Sequence, residues 1–405
     1  MKTVLVLAWR NIWRNKSRSL ALMLSVMLGM AAGLTLLGLM TGFIQQRFDN
    51  LIQNKVSHIQ IHHKNYLLEL DSKLTISQTN ELNEFLDSLP VVTGHASRTL
   101  SFGMLASSHN SMGVKIMGIS PNEERNITRF HDKLVEGEYL SSTVKNPVFI
   151  SRKTAKKLKA KIGSKVVLTF QSSENDIISA AFRINGLYQT ANTDFDENHV
   201  MVRREDLQQF VFASPEVNEI AILLTDETKA KETAKLIKDQ FPDLDVKSWE
   251  SLSPELRILL EQGGFMLYIF IIIILIGLAF GILNTMLMAV FERMQELGML
   301  MAIGMNKQKI ALMILMETIY LSIIGGIIGL FAGKLLVDGF EKRGLDLSRF
   351  ADALAEFGYE AVVYPKVTWQ DMQTILLLVF ATSLLAAILP TLRAIYLNPA
   401  EAIRK

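Results

Sequence analysis

FMLYIFIIIILIGLAFGILNTMLMAVFERMQELGMLMAIG, residues 265–304, decides how this chain is read. From Gln262 to Phe291 no side chain is charged. Such a run is at ease only in lipid, where a spanning helix needs ~20 mostly apolar residues. Directly after it, Glu292-Arg293-Met294-Gln295-Glu296-Leu297-Gly298 is charged and amphipathic. The two together read as a membrane helix ending in a short helix pressed against the membrane exit. That is the form of a lever that another protein pushes.

Working outward, Leu20–Phe43, Ile310–Gly333 and Met372–Leu392 pass the same length test as Phe265–Val290. The fold class expected is an α-helical membrane protein with four transmembrane helices (1+3) and a large α+β extracytoplasmic domain inserted between helices 1 and 2. The divisions are an interfacial amphipathic helix 1–18, transmembrane helix 1 at 19–45, the soluble domain 46–262 and transmembrane helix 2 at 263–291. A coupling helix 292–309, transmembrane helix 3 at 310–333, a loop 334–371, transmembrane helix 4 at 372–392 and a tail 393–405 follow. Basic residues total 42 against 40 acids, so net charge names no partner, and nothing points to nucleic acid. The distribution of charge says more. Lys2, Arg10, Arg14, Lys16 and Arg18 precede the first span with no acid among them, which puts the N-terminus in the cytoplasm. Four crossings return the C-terminus to the same side, where Arg393, Arg404 and Lys405 agree. The acid-rich loop holding Asp338, Glu341, Asp346 and Glu360 suits the outside. The first apolar run is too long for a signal peptide, and without cysteine the chain has no disulfide and no lipid-modified cysteine.

In the insert, Val56–His62, Val91–Ser107, Ser111–Ile119, Val166–Gln171, Ile177–Tyr188 and Glu219–Leu224 read as strands. Ser77–Leu89, Ser151–Lys161 and Thr225–Phe241 read as helices bounded by caps, glycine or proline. Mixed elements with short, turn-rich links argue an α+β domain. Four spans with one insert make half of a symmetric machine, so a second permease, a copy or a paralogue, is expected to complete it.

At the N-terminus, Trp9 and Trp13 lie four apart and Arg10, Arg14 and Arg18 share another stripe, the pattern of a helix lying in the membrane interface. In the coupling segment, Glu292 and Glu296 suit a helix start, while Met294, Leu297 and Met301 form an apolar stripe. Gly304 ends that helix and Asn306 caps the next. A Met-bearing amphipathic helix suits a partner's groove, so Leu297 and Met301 are expected to insert there. Glu317 needs a partner in the membrane, with Lys307 or Lys309 within reach. Gly325, Gly329 and Gly333 favour close helix packing. Asp371 is a candidate cap for the last span. His58, His62 and His63 are expected as surface histidines, since no third ligand accompanies them to make a metal site. There is no catalytic triad, His-Glu-x-x-His motif or phosphate loop, so the chain is not expected to be an enzyme.

Glu292–Gly304 resembles the coupling motif of FtsX-like ABC-transporter permeases of the mechanotransmission type. Ala8-Trp9-Arg10-Asn11-Ile12-Trp13-Arg14-Asn15 is similar to their N-terminal helix and Asn398-Pro399-Ala400-Glu401-Ala402-Ile403-Arg404 to their C-terminal motif. Met117-Gly118-Ile119-Ser120-Pro121 and Glu136-Gly137-Glu138-Tyr139-Leu140 resemble stretches of their soluble domain. The resemblance implies a separate cytoplasmic ABC ATPase pair, binding ATP and Mg, that docks on Glu292, Arg293, Glu296, Leu297, Gly298, Met301 and Gly304. Many members carry a basic residue where this chain has Met301. Within the family the soluble-domain motifs look most like permeases of the lipoprotein-releasing (Lol) system. These extract lipoproteins from the bacterial inner membrane and pass them to a periplasmic carrier, with the large domain in the periplasm. The other branches export peptides, drugs or amphiphiles, or control cell-wall hydrolases with a smaller insert. For a lipid-anchored cargo, Met40, Phe43, Phe48, Leu51, Ile52, Phe265, Met266 and Ile269 are the expected lining of a cleft for acyl chains among the membrane lipids.

Overall fold

The computed structural model describes residues 2–52, 56–212 and 216–396. The chain divides into two compact units, Met1–Gln45 with Leu260–Leu347 and Val362–Lys405, and Gln46–Leu259 with Ser348–Ala361.

The first unit is helical. Lys2–Arg14 leads into Lys16–Leu51, and Pro254–Glu292, Met294–Ala302, Lys307–Arg343 and Trp369–Ile395 follow. The helices Lys16–Leu51 and Pro254–Glu292 contribute their far and near ends, respectively, to the second unit. Four of these helices are long and apolar enough to cross a membrane. Lys307–Arg343 overshoots the expected 310–333 at both ends. Its 37 residues span roughly 55 Å, well past the ~30 Å hydrocarbon layer. The glycine stripe on this helix has the expected use. A Cβ at Gly325 or Gly329 would lie 2.8 or 2.6 Å from the carbonyl oxygen of Met23 or Met27, so only glycine lets the helix seat on the backbone of the first span. Asn306 caps this helix by accepting from the Gln308 N–H at 3.2 Å. The last span is capped by Thr368 rather than Asp371. Asp371 instead closes a reciprocal capping box.

The described residues of the second unit form ten strands, β1 (Ile59–His63), β2 (Val92–Ala106), β3 (Ser111–Ile119), β4 (Leu134–Gly137), β5 (Pro147–Ser151), β6 (Lys165–Gln171), β7 (Ile177–Tyr188), β8 (His199–Arg203), β9 (Glu219–Leu224) and β10 (Leu244–Ser248). Their order is β10-β1-β9-β2-β3-β8-β5-β7-β4, with β6 pairing β2 and β7. The long β2 is the spine: Val92–Arg98 pairs β9, and Thr99–Ala106 pairs β3. Two cores result. Ile61, Leu82, Ile220, Ile237 and Trp249 fill one, under the helices Thr79–Asp87 and Ala230–Gln240. Ile116, Val148, Leu168, Phe182 and Val200 fill the other. The stretch 348–361, expected as part of a separate loop, belongs to this unit. Its Glu360 pairs with Lys133 at 2.9 Å, and its Ala355 carbonyl accepts from Thr193.

A buried ionic network crosses three neighbouring strands. Arg98 donates from Nε and Nη2 to Glu124 at 3.1 and 2.6 Å, and from Nη1 to Glu219 at 2.6 Å. Glu219 meets His62 Nε2 at 3.1 Å, and the His62 ring stacks on Tyr66. The strand register explains the alignment, because Glu219 is paired with His62 on one side and Arg98 on the other. Burial by itself would raise the Glu219 carboxyl. Its hydrogen bond with His62 and the charge of Arg98 outweigh burial and hold it well below the usual range. His58 and His62 are therefore buried structural groups rather than surface histidines. His58 lies outside β1, and its Nδ1 accepts from the Leu224 N–H at 2.9 Å.

Candidate coupling site

The segment after the second span forms the short helix Met294–Ala302. Gly304, at φ +96°, ends it in the left-handed region, and its N–H reaches the Met301 carbonyl. The helix turns its faces differently from the expected docking mode. Leu297 is 4 % exposed and joins Ile310, Met313 and Ile314 in the chain's own core. Gly298 is buried with it, and Met301 packs against the same cluster. Leu297 is thus already used internally and has no surface to offer a groove. The solvent side carries Gln295, Glu296, Met299 (55 % exposed) and Ile303 (79 % exposed). The spacing of 296, 299 and 303 gives one outward stripe with two free apolar side chains.

Ion pairs hold this helix in place. Arg18 pairs with Glu292 and Arg14 with Glu296. Arg293 reaches Glu317 at 3.1 Å and Glu296 at 3.6 Å. Three guanidinium groups and three carboxylates thereby join five of the described helices. The hydrogen bond from Arg14 keeps the Glu296 carboxyl below its usual range, with the charges of Arg14 and Arg293 adding to it. Glu317 was expected to meet Lys307 or Lys309; the buried Arg293 takes that place, because the turn at Glu292 swings it over the third span. Nothing in residue spacing along one helix announces a pair between two helices.

The N-terminal helix is fastened to the same framework. Val4, Ala8 and Ile12 enter the core, Ser19 Oγ donates to the Ile12 carbonyl at 2.8 Å, and Trp9 meets the Tyr320 ring edge-on at 5.6 Å. Trp13 and Arg10 face outward, as an interfacial helix requires.

The expected acyl-chain lining separates into two groups. Phe48 and Ile52, each 3 % exposed, sit in the core of the second unit, Phe48 against Trp249 at 5.0 Å between ring centroids, and Leu51 packs against that core. These three face inward because the end of the helix Lys16–Leu51 is folded into the domain, with Phe48 and Ile52 also bordering a cavity within it. Met40 and Phe43 are half-buried, Phe265 and Ile269 are exposed, and the side chain of Met266 lies outside the described residues. The C-terminal motif 398–404 is also outside them.

With this geometry in hand, comparison with known proteins gives two family models. The FtsX-like permease C-terminal model matches residues 268–399, and the MacB-like periplasmic core domain model matches residues 19–240. The lipoprotein-releasing system transmembrane protein LolC of Neisseria meningitidis is 24% identical over 387 residues, covering 92% of this chain and 90% of its own. An uncharacterized ABC transporter permease of Methanocaldococcus jannaschii is 27% identical over 231 residues, 55% of each chain. Among solved structures, the periplasmic region of MacB from Actinobacillus actinomycetemcomitans covers 53% of this chain and 98% of its own, at 12% identity and a TM-score of 0.36.

Proposed function

Since the chain belongs to the FtsX-like ABC-transporter permeases with a MacB-like periplasmic core, we propose that it is the membrane subunit of a lipoprotein-releasing transporter, driven by a separate cytoplasmic ATPase pair. The observation that carries the transduction half is the clamped helix Met294–Ala302. Its Glu296 pairs with Arg14, its N-cap Arg293 reaches the third span and Arg18 holds Glu292 just before it, yet it offers Met299 and Ile303 outward. A push on that stripe is passed to rigid helices rather than absorbed by a loose loop. The basic ends marked by Lys2, Arg10, Lys16, Lys307 and Lys309 put this face in the cytoplasm by the positive-inside rule. The large domain then lies in the periplasm, and the membrane is the bacterial inner membrane.

The cargo assignment is supported by the likeness to LolC along 92% of the chain. The second span fits a two-permease assembly. Of the four described spans it is the least buried. Its exposed Phe265, Ile269, Ile272, Ile273 and Phe280 present a wide apolar face to lipid, to a second permease or to acyl chains. Purification in mild detergent followed by mass spectrometry tests the reading. Triacylated lipoproteins and a co-purifying ATPase are expected. An adaptor and outer-membrane duct, or a peptidoglycan hydrolase, in place of lipoproteins would overturn the cargo assignment.

A further inference from the structure

A cavity of about 400 Å³ in the second unit lies at the end of the first-span helix, bounded also by the loop 125–129 and the turn after β9. Its lining includes three kinds of group, with Asp49 and His58 beside them. Arg125 and Arg129 stand four apart in the loop after the helix Pro121–Glu124, and neither takes part in an ion pair among the described residues. Glu227 opens the turn that follows β9 and is likewise outside any ion pair. Phe48, Ile52 and Leu223 form an apolar floor. Opposite charges thus line one cleft without meeting each other. Burial, then the neighbouring charges of Asp49 and Asp226, push the Glu227 carboxyl up, the signature of a group that would gain from a nearby cation.

We propose that this cleft binds the phosphoethanolamine headgroup of a phospholipid, the phosphate on Arg125 and Arg129 and the ammonium on Glu227. Two guanidinium groups offer planar, paired N–H donors that match phosphate oxygens. A carboxylate complements a primary ammonium. The floor takes the glycerol and upper acyl carbons, a role no soluble zwitterion needs. Phe48 lies near the end of the helix Lys16–Leu51, about one turn after Ile44 in the sequence. The inference goes beyond the proposed transport function, because it concerns a resident lipid rather than the cargo or the ATPase.

The test uses the purified full chain in lipid-free detergent at neutral pH, titrated with dihexanoylphosphatidylethanolamine, dihexanoylphosphatidylglycerol and glycylglycine, with binding read by calorimetry. The ethanolamine lipid is expected to bind about tenfold more tightly than the glycerol lipid, and Arg125→Gln with Arg129→Gln to weaken it by about tenfold or more. Glu227→Gln is expected to abolish the preference while leaving the glycerol lipid's affinity unchanged, a pattern that misfolding does not produce. Equal affinity for the two lipids in the unaltered chain, or unchanged binding in the arginine variant, overturns the proposal. Glycylglycine binding as tightly as the ethanolamine lipid also overturns it, in favour of a soluble zwitterion.

Discussion

Replacing Arg98 with Met is expected to destabilise the large domain by about 3–5 kcal/mol, because it strands two buried carboxylates. Glu124 and Glu219 lose the guanidinium that both contact, and neither can reach water. The methionine fills most of the volume, so the loss reports charge rather than a cavity. A triple variant, Arg98→Met with Glu124→Leu and Glu219→Leu, should recover much of the stability, since an apolar trio leaves nothing unpaired. Urea unfolding of the full chain, followed by amide hydrogen exchange in β2 and β9, measures both. A loss below about 1 kcal/mol for Arg98→Met would contradict the network's role. The pH dependence has a fixed sign. Glu219 is held below its unfolded range, so its stabilising contribution is present above about pH 4.3 and is lost as pH falls further toward its folded value. In Arg98→Met that loss should move to higher pH.

The second large effect lies on the coupling helix. Met299→Asp with Ile303→Asp is expected to release the ATPase and stop ATP-driven transport, while the chain itself stays folded. Both side chains are exposed, so their replacement costs the permease little. Each apolar side chain buried in a partner's groove is worth roughly 1.5–3 kcal/mol, so losing two lowers affinity by about 100-fold or more. Leu297→Asp should act differently, by disrupting the permease's own packing beside Ile310 and Met313. Co-purification of the ATPase with each variant, alongside its melting temperature, separates the two cases. If the Met299/Ile303 double variant keeps the ATPase with full transport, the outward stripe is not the docking face.

The reach of the sequence can be judged from particular elements. The four apolar helices were legible because lipid imposes a length and a composition that no soluble element shares. β2, β3, β6, β7 and β9 were legible from alternation or from flanking turn residues. β5 and β8 were not. Pro147-Val-Phe-Ile-Ser is buried at every position, and His199-Val-Met-Val-Arg is buried through its centre, so neither has an alternating face to betray it. β10 does alternate, but its five residues, Leu244-Asp-Val-Lys-Ser, are too few to stand out beside a helix ending in Phe241-Pro242. At the candidate site, the helix and its glycine stop were readable, whereas the face it turns outward was not. The stripe Met294, Leu297, Met301 looked like a docking edge, but periodicity alone cannot say whether an apolar edge meets a partner or the protein's own core. Arg293–Glu317 and Arg98–Glu219 were hidden for a related reason. Each joins residues that only tertiary packing brings together.

The most direct measurement is reconstitution of this chain, with its cognate ATPase and any second permease, in proteoliposomes carrying a triacylated lipoprotein, followed by ATP addition and assay of lipoprotein in the soluble fraction with a periplasmic carrier present. The account predicts no hydrolysis by the permease alone and ATP-dependent release from the complete assembly, abolished by Met299→Asp with Ile303→Asp. Vigorous ATP turnover by the complete assembly with the lipoprotein retained in the membrane would contradict it.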